Sequence, residues 1–410
     1  MPPDGRFSRR GFLATAGAGA VGLAAVGAGG YVLGRDEDRP AQREPFHGEH
    51  QAGVTTPVQD RLVFGAFDLQ TSSPAVLRTL LEDWSAAALL MTEGRPVGEV
   101  DDNLAAPPVD TGEALGLPAA RLTVTFGLGP SLFDRVGLAA QRPAALHELP
   151  HFAGDALQPE RSGGDLCVQA CADDPVVAFH AVRNLARIGF GRVSLRWTQL
   201  GFERTSVTSS GQQTVRNLQG FKDGTNNLHG DDADAMRQFV WVADEEPREW
   251  FRGGTYLVAR RIRMLVETWD RSSLDDQQQT IGRFKSSGAP LTGEREHDPV
   301  DLAATATDGT PVIPRDAHIR LAGPASNRGR RILRRGFSYT DGIDPRTGEL
   351  DAGLFFIAFQ RDPETGFVAV QRRLAAGDAL REYIVHTGSA VFAVPPGARP
   401  GAFVGEGLFT

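Results

Sequence analysis

Cysteine is almost absent from this chain, which has only Cys167 and Cys171 among its 410 residues. Both lie between Asp165 and Cys171, where side chains alternate as in a β-strand. Residues four apart on one strand are separated by about 13 Å, at roughly 3.3 Å per residue, which is too far for a disulfide. We therefore expect two buried, apolar thiols. The sequence also contains no zinc or iron–sulfur pattern.

A net positive charge is missing as well. The formal net charge is -8 at pH 7, and no extended basic block follows the N-terminal segment. Proteins that bind nucleic acid or anionic membranes usually present a basic patch. We therefore expect neither nucleic acid nor an anionic membrane as a partner of this chain.

The first forty residues have the features of an export signal. Ser8 to Leu13 form a twin-arginine signature around Arg9 and Arg10, and an Ala/Gly/Val-rich run from Gly11 to Gly34 follows. The run is long enough for a retained membrane anchor, but its glycines, modest hydrophobicity and preceding arginines favour a signal peptide over residues 1–40. We expect twin-arginine export to the periplasm or medium, with no membrane span in the mature form. Because this route moves folded proteins, often with a cofactor inserted, it hints at a prosthetic group.

The rest of the chain is long enough for a doubled architecture. Residues 41–58 are rich in charge, proline and histidine, which is typical of a disordered linker. About 350 residues follow, more than one typical core contains, so we expect two halves over residues 59–208 and 209–410.

Periodicity and capping residues predict an α+β fold. In the first half we expect strands at Arg61–Leu69, Arg121–Phe126, Asp165–Cys171 and Arg192–Trp197, with helices at Pro74–Leu90 and Pro175–Ile188. In the second half we expect strands at Arg237–Ala243, Tyr256–Glu267, Leu354–Gln360 and Ser389–Val394, with helices at Asp275–Gly282 and Gly377–Tyr383. The strand–helix–strand order predicts two ferredoxin-like halves with antiparallel sheets and peripheral helices.

Asp223 stands out in the polar segment between the halves. Gly220 and Gly224 flank it in a Gly-Phe-Lys-Asp-Gly-Thr-Asn run, and glycine allows positive φ and close approach of the backbone to a ligand. Taken alone, this pattern is equally typical of an ordinary turn. A long polar segment inside a compact protein is nevertheless usually functional.

A histidine and two arginines follow about a hundred residues later. His318 lies in a short helix or turn between Pro314 and Pro324, with Asp316 as its expected cap. By itself, His318 is equally interpretable as an ordinary surface or core histidine. Arg334 and Arg335 lie in a strand-like segment that starts at Ile332 and Leu333, so their side chains point to opposite faces. One of them can enter a pocket while the other is solvated or binds a propionate.

These segments, in this order, resemble the dye-decolourising peroxidases, and in particular their exported deferrochelatase/peroxidase subgroup. The resemblance extends from about Arg61 to Thr410. It rests on the runs Gly220 to Asn226, Asp316 to Ala322, Ile332 to Gly336, Gly353 to Gln360 and Val394 to Gly397. One departure is Gly323-Pro324, where relatives often carry Asn-Pro.

The resemblance implies a dimeric α+β barrel type of fold with one haem b per chain in the C-terminal half. His318 is the implied proximal ligand and metal-binding residue, and Asp223 and Arg334 are the implied distal catalytic pair. The implied cofactor-binding residues are Asp223, Gly224, Thr225, His318, Gly323, Pro324, Ala325, Arg334, Leu354 and Phe356. The other ring nitrogen of His318 also needs a hydrogen-bond acceptor that fixes the orientation of the ring, and the sequence does not identify it.

The implied function is a peroxidase that uses hydrogen peroxide to oxidise aromatic, phenolic or dye-like donors. A haem- or iron-handling protein of an uptake system, with incidental peroxidase activity, stays open as an alternative, as does a homo-oligomeric state. Because aspartate side chains ordinarily ionise near pH 3.9, an aspartate base predicts an acidic activity optimum. Bulky donors need a surface relay, for which Tyr339, Trp250, Trp241 and Tyr383 are candidates by residue type alone.

Overall fold

The computed structural model describes residues 42–98 and 104–410, and the predicted signal peptide lies outside these ranges. Within them, the strands are β1 (Arg61–Leu69), β2 (Thr123–Leu128), β3 (Leu166–Ala172), β4 (Val193–Arg204), β5 (Val215–Arg216), β6 (Lys222–Asp223), β7 (Thr255–Met264), β8 (Leu333–Arg334), β9 (Phe337–Ile343), β10 (Leu350–Gln360) and β11 (Ile384–Val394). The α-helices are α1 (Pro74–Thr92), α2 (Pro130–Arg135), α3 (Pro175–Ile188), α4 (Ala233–Phe239), α5 (Val266–Arg271), α6 (Leu274–Ile281), α7 (His318–Ala322) and α8 (Ala369–Gly377).

Local capping explains where the helices begin. The Asp174 carboxylate accepts hydrogen bonds from the backbone N–H groups of Val176 and Val177, so α3 starts at Pro175 as predicted. The strand predicted at Arg237–Ala243 is wrong: the Asp232 carboxylate caps Ala235, and this start signal makes the segment the helix α4. The helix predicted at Gly377–Tyr383 is also wrong, because α8 ends at Gly377 and a short 3₁₀ turn follows.

The long strands close into a barrel. They form one antiparallel sheet in the order β7-β11-β2-β3-β1-β4-β9-β10-β8, and an additional pairing between β7 and β10 completes the ring. The short hairpin of β5 and β6 stands apart from this sheet. The prediction of an antiparallel α+β barrel is therefore confirmed.

The same strand order occurs in both halves of the barrel. It is β2-β3-β1-β4 in the N-terminal half and β9-β10-β7-β11 in the C-terminal half, which is the ferredoxin-like order. The halves meet through β4 with β9 and through a single pair between β11 and β2. Because residues 43–410 form one compact unit, the boundary at 208/209 stays a prediction.

Strand alternation divides the core into two layers. One face of the sheet fills the barrel interior, where the Phe64 ring packs against Phe355 and Phe392. Cys167 and Cys171 belong to this interior and are free, buried thiols, as predicted. The other face packs against helices, as where Trp84 of α1 donates its indole N–H to a backbone carbonyl of α3 at 2.8 Å.

The segment predicted to be a disordered linker packs on the barrel in its described part, residues 42–58. The side-chain amide of Gln51 donates to the carbonyls of Phe126 and Pro395, and its oxygen accepts from the Phe126 N–H. These bonds join the two sides of the weak junction between β2 and β11. The apolar side chains of Phe46 and Val54 are buried. The prediction of a disordered linker is therefore wrong for residues 42–58: although the segment is rich in charge and proline, it is ordered and covers the barrel. Among the described residues, no helix is long and apolar enough to span a membrane.

Candidate active site

The hairpin of β5 and β6 presents Asp223. Val215 pairs with Asp223, and Arg216 pairs with Lys222. Gly220 and Gly224 have φ values of 81° and 101°, which a side chain would strain. A Cβ atom at Gly224 would also lie only 2.9 Å from the backbone nitrogen of Val207. The two glycines predicted to shape this loop are therefore required by its backbone.

Asp223 forms an ion pair with Arg334, which is 111 residues away along the chain. The Nη1 atom of Arg334 donates to Oδ1 of Asp223 at 2.7 Å. Asn227 holds the two segments together, because its side-chain amide accepts from the Arg334 N–H and donates to the Arg334 carbonyl, both at 2.8 Å. The structure thus brings together the acid and the arginine that the sequence predicts, and it adds Asn227. Its position just after the Asp223 loop was the only sequence signal for that role.

Arg335 points to the opposite face, as strand alternation requires. Its side chain is fully buried, and its guanidinium donates to the Thr56 carbonyl and to Oε1 of Gln59. The expectation that the second arginine is solvated or binds a propionate is wrong. Arg335 instead anchors the N-terminal segment to the barrel.

His318 begins α7 and is held by Asp378. The ring Nδ1–H donates to Oδ2 of Asp378 at 2.6 Å, and that carboxylate is almost fully buried, with 2% of its surface exposed. The predicted cap Asp316 is wrong, since Ala317 occupies the N-cap position without a side-chain bond. Asp378 is the acceptor for the second ring nitrogen of His318, which the sequence could not identify. The only local feature of Asp378 is that its carboxylate caps the following 3₁₀ turn by accepting from the Leu380 N–H.

Burial and the charges of three neighbouring residues set the pKa of His318. Burial lowers the pKa of His318, but the charge of Asp378 and its hydrogen bond outweigh burial, so the pKa is raised above its ordinary value. Asp223 also raises this pKa, and Arg334 lowers it. The predicted proximal and distal residues therefore lie within electrostatic range of one another.

The apolar residues predicted for the pocket share a sheet face with Arg334. Arg334 pairs with Ala358 on β10, so Phe356 and Leu354, at two and four residues' distance, point to the same side. Both are half-buried. The Phe356 ring lies 5.8 Å from the ring of Phe367, just before α8. This face of β10 therefore forms an apolar wall beside the guanidinium.

The turn after α7 and the residues after Asp223 complete the predicted set. Gly323 and Pro324 are half-buried, whereas Ala325 is exposed. The side-chain amide of Asn327 donates to the carbonyls of Leu321 and Gly323, which fixes this turn. The Thr225 hydroxyl donates to Glu296 at 3.1 Å. Contact of any of these residues with a cofactor stays a prediction.

The arrangement fits the haem that the sequence predicts. Asp378 engages Nδ1 of His318, which leaves Nε2 as the nitrogen that would bind iron, and a carboxylate partner makes an imidazole a stronger ligand. The His318 ring is half-buried and keeps 34% of its side-chain surface accessible, which leaves room for a ligand at Nε2. Within the described ranges, no group of three or more His, Cys, Asp or Glu side chains could hold a metal ion without such a cofactor.

Comparison with known proteins gives a consistent picture. The N-terminal model of the Dyp-type peroxidases matches residues 51–203, and the C-terminal model matches residues 214–399. Proteins named deferrochelatase from Escherichia coli K12 and Shigella sonnei are each 40% identical over 368 residues, covering 88% of this chain and 86% of theirs.

Solved structures are similar over almost the same length. An oxyferrous complex of DtpA from Streptomyces lividans is 43% identical, with a TM-score of 0.82, and the match covers 90% of this chain and 98% of that one. A DyP-type peroxidase from Cellulomonas bogoriensis is 42% identical, with a TM-score of 0.80 and the same coverage.

Proposed function

Because the chain belongs to the Dyp-type peroxidase family, we propose that it is an exported haem b peroxidase, with one haem per chain, that reduces hydrogen peroxide and oxidises dyes, phenolics or other bulky aromatic donors. The observation that carries this proposal is the Asp223–Arg334 pair within electrostatic range of the His318–Asp378 pair. An absorption spectrum of the purified protein, expressed with a haem supply, tests it. A protein without a Soret band would contradict both the peroxidase and the haem-handling functions.

In this proposal the haem iron supplies the redox chemistry when bound, and the side chains hold and position the reactants. His318 would bind the iron through Nε2, and Asp378 keeps the ring in the tautomer with a proton on Nδ1. The residues that would line the haem are Asp223, Gly224, Thr225, His318, Gly323, Pro324, Ala325, Arg334, Leu354 and Phe356. The apolar side chains of Leu354 and Phe356 would exclude bulk water from the peroxide.

In this proposal, Asp223 transfers the proton. Its carboxylate takes a proton from one oxygen of hydrogen peroxide and returns it to the other oxygen, directly or through a water molecule. Arg334 cannot act as a base, because a guanidinium keeps its charge in proteins. Its charge instead orients the peroxide and stabilises the negative charge that develops as the O–O bond breaks.

Tyr383 is buried, so we assign it as an inner link of the relay between the surface and the haem, because its surroundings suit electron transfer. Its hydroxyl donates to Asp276 at 2.7 Å and so has a proton acceptor. Its ring packs against Trp269, and Trp269 packs against Phe221, two residues before Asp223. By contrast, the guanidinium of Arg261 lies 4.1 Å from the centre of the Tyr339 ring, and a positive charge there disfavours loss of an electron.

We predict that Tyr383→Phe lowers the turnover of a bulky dye about tenfold, which corresponds to about 1.4 kcal/mol of activation free energy. The physical reason is that phenylalanine has no hydroxyl proton to transfer to Asp276. Steady-state kinetics with a dye and with a small phenol measure the effect. Tyr339→Phe is the matched control, because the buried Tyr339 hydroxyl has no hydrogen-bond partner among the described residues. Equal losses in both variants would contradict the relay.

The export route is part of the same proposal, although its signal lies outside the described residues. We predict that replacing Arg9 and Arg10 together with lysine keeps the precursor inside the cell, because the twin-arginine pair is read by a receptor. Cell fractionation followed by immunoblotting measures this. Unchanged export of the double variant would show that another signal directs the chain.

A haem- or iron-handling function is the second candidate, and the specific observation that favours it is the name of the curated relatives, deferrochelatase. In that function, the site would hold haem for release of its iron, and peroxide reduction would be incidental. The two functions differ in whether the cell needs the Asp223 carboxylate.

A further inference from the structure

A cavity of about 360 Å³ lies behind the strand that carries Asp223. Successive side chains on a strand point to opposite faces, so Asp223 faces Arg334 while Lys222 faces the cavity. The cavity lining includes Thr214, Lys222, Thr225 and Glu296. Asp223 and Arg334 do not line this polar space, whereas Gly224 and Thr225, which are predicted to contact the haem, border it.

Glu296 accepts hydrogen bonds from three side chains on the cavity side of this hairpin. Its carboxylate accepts from Nζ of Lys222, from the Thr225 hydroxyl at 3.1 Å and from the Thr214 side chain. Lys222 immediately precedes Asp223, and Thr225 follows two residues after it. One carboxylate thus holds the chain on both sides of the predicted base and also holds the partner strand.

Hydrogen bonds keep the Glu296 carboxylate charged, and Arg283 fixes its backbone. Burial raises the pKa of Glu296, but the hydrogen bonds from Lys222, Thr214 and Thr225 outweigh it, so the pKa lies below its ordinary value. The buried guanidinium of Arg283 donates to the Glu296 carbonyl at 3.0 Å and to the Gly288 carbonyl at 2.7 Å. Glu296 is therefore a fixed anion, whereas its neighbour Glu294 is exposed.

Asp223 has few contacts of its own with which to hold its place. Beyond Arg334, its side chain accepts only a long hydrogen bond from Asn217, at 3.4 Å, among the described residues. A general base must lie within hydrogen-bond reach of the proton that it takes, so small displacements are costly. The backbone pairing of Asp223 with Val215 holds the strand in the hairpin, and the side-chain contacts that add to its orientation lie on the opposite face.

We infer that Glu296 is a positioning residue for Asp223: from the cavity side, it holds Lys222 and Thr225 so that the intervening carboxylate faces Arg334 and the peroxide. This role rests on the proposed function of Asp223 as the base. Glu296 does not touch the peroxide or the cofactor in this arrangement, and it acts only through the backbone of the Asp223 strand.

The test compares Glu296→Gln with Glu294→Gln in the haem-loaded enzyme, each with and without Asp223→Asn. We expect Glu296→Gln to slow the reaction with peroxide about tenfold without changing KM for the donor, and to have no further effect once Asp223→Asn is present. Hydrogen exchange measured by mass spectrometry should increase over residues 220–226. Glu294→Gln should leave both quantities unchanged, and Glu296→Asp should partly restore the rate.

A rate loss of equal size with and without Asp223→Asn would overturn the inference, as would unchanged exchange in the 220–226 segment. If Glu296→Gln does not fold, Thr214→Val and Lys222→Met each remove one hydrogen bond to Glu296 and carry the same expectations at smaller size. If Asp223→Asn alone has no effect on the peroxide reaction, the proposed base fails. The exchange measurement still decides whether Glu296 holds the segment.

Discussion

Replacing Asp223 with asparagine is expected to slow the reaction with hydrogen peroxide by about 10²–10⁴-fold while leaving haem bound. An amide has nearly the volume of a carboxylate and can still accept from Nη1 of Arg334, so the pocket should keep its shape. An amide cannot take up the peroxide proton, however. Stopped-flow kinetics at varied peroxide concentration measure the rate, and the Soret absorbance measures the haem content. The exposed Asp244 offers the matched control Asp244→Asn.

The pH profile of the same reaction separates a proton-transfer role from a structural one. Aspartate side chains ordinarily ionise near pH 3.9, so a carboxylate base is present above that pH and is lost as the pH falls through it. The wild-type enzyme should therefore keep its activity into mild acid, and the asparagine variant should lack the loss of rate that the wild type shows in stronger acid. Wild-type activity that peaked at about pH 8 and vanished at about pH 4 would contradict Asp223 as the base.

The Asp223 variant also distinguishes the two candidate functions in cells. If the cell phenotype of a deletion strain is not rescued by a haem-loaded Asp223→Ala protein, the peroxidase reaction is the physiological function. Full rescue by that variant would instead favour haem or iron handling, because the variant lacks only the base.

Replacing His318 with alanine is expected to have the second large effect, which is loss of tight haem binding. The substitution removes the imidazole that would bind iron and leaves the buried Asp378 carboxylate without its 2.6 Å partner. Unpairing a buried charge is costly, so the free energy of unfolding should fall as well. Haem titration followed at the Soret band, together with thermal unfolding of the protein with and without haem, measures both effects.

Two further variants make this result interpretable. Asp378→Asn keeps the ligand and changes only its partner, so we expect a smaller loss of haem affinity, about 10–100-fold. His151→Ala removes an exposed histidine from the N-terminal half, and it should leave haem binding unchanged. A His318→Ala protein with wild-type haem affinity and an unshifted Soret band would rule out His318 as the ligand.

Local signals in the sequence were sufficient for most of the regular structure. The nearly continuous apolar run of β1 and the Asp174 cap of α3 act over a few residues, so the bounds of both elements match their predictions. The prediction failed where a local pattern had two interpretations. The run after Arg237 has strand-like residues, but the Asp232 cap upstream commits the chain to α4. The proline- and histidine-rich segment before residue 59 looked unable to fold, because the barrel surface that it covers is formed by distant strands.

The sequence by itself determined the chemical groups of the site: a glycine-flanked acid, a histidine in a short helix and an arginine in a strand. Only the tertiary structure decided which groups meet. Asp223 reaches Arg334 across 111 residues, and His318 reaches Asp378 across 60. Strand alternation requires Arg334 and Arg335 to diverge, but it does not say which faces the site, because that depends on how the closed barrel packs against the N-terminal segment. Periodicity acts over a few residues, whereas these contacts arise when distant strands pair.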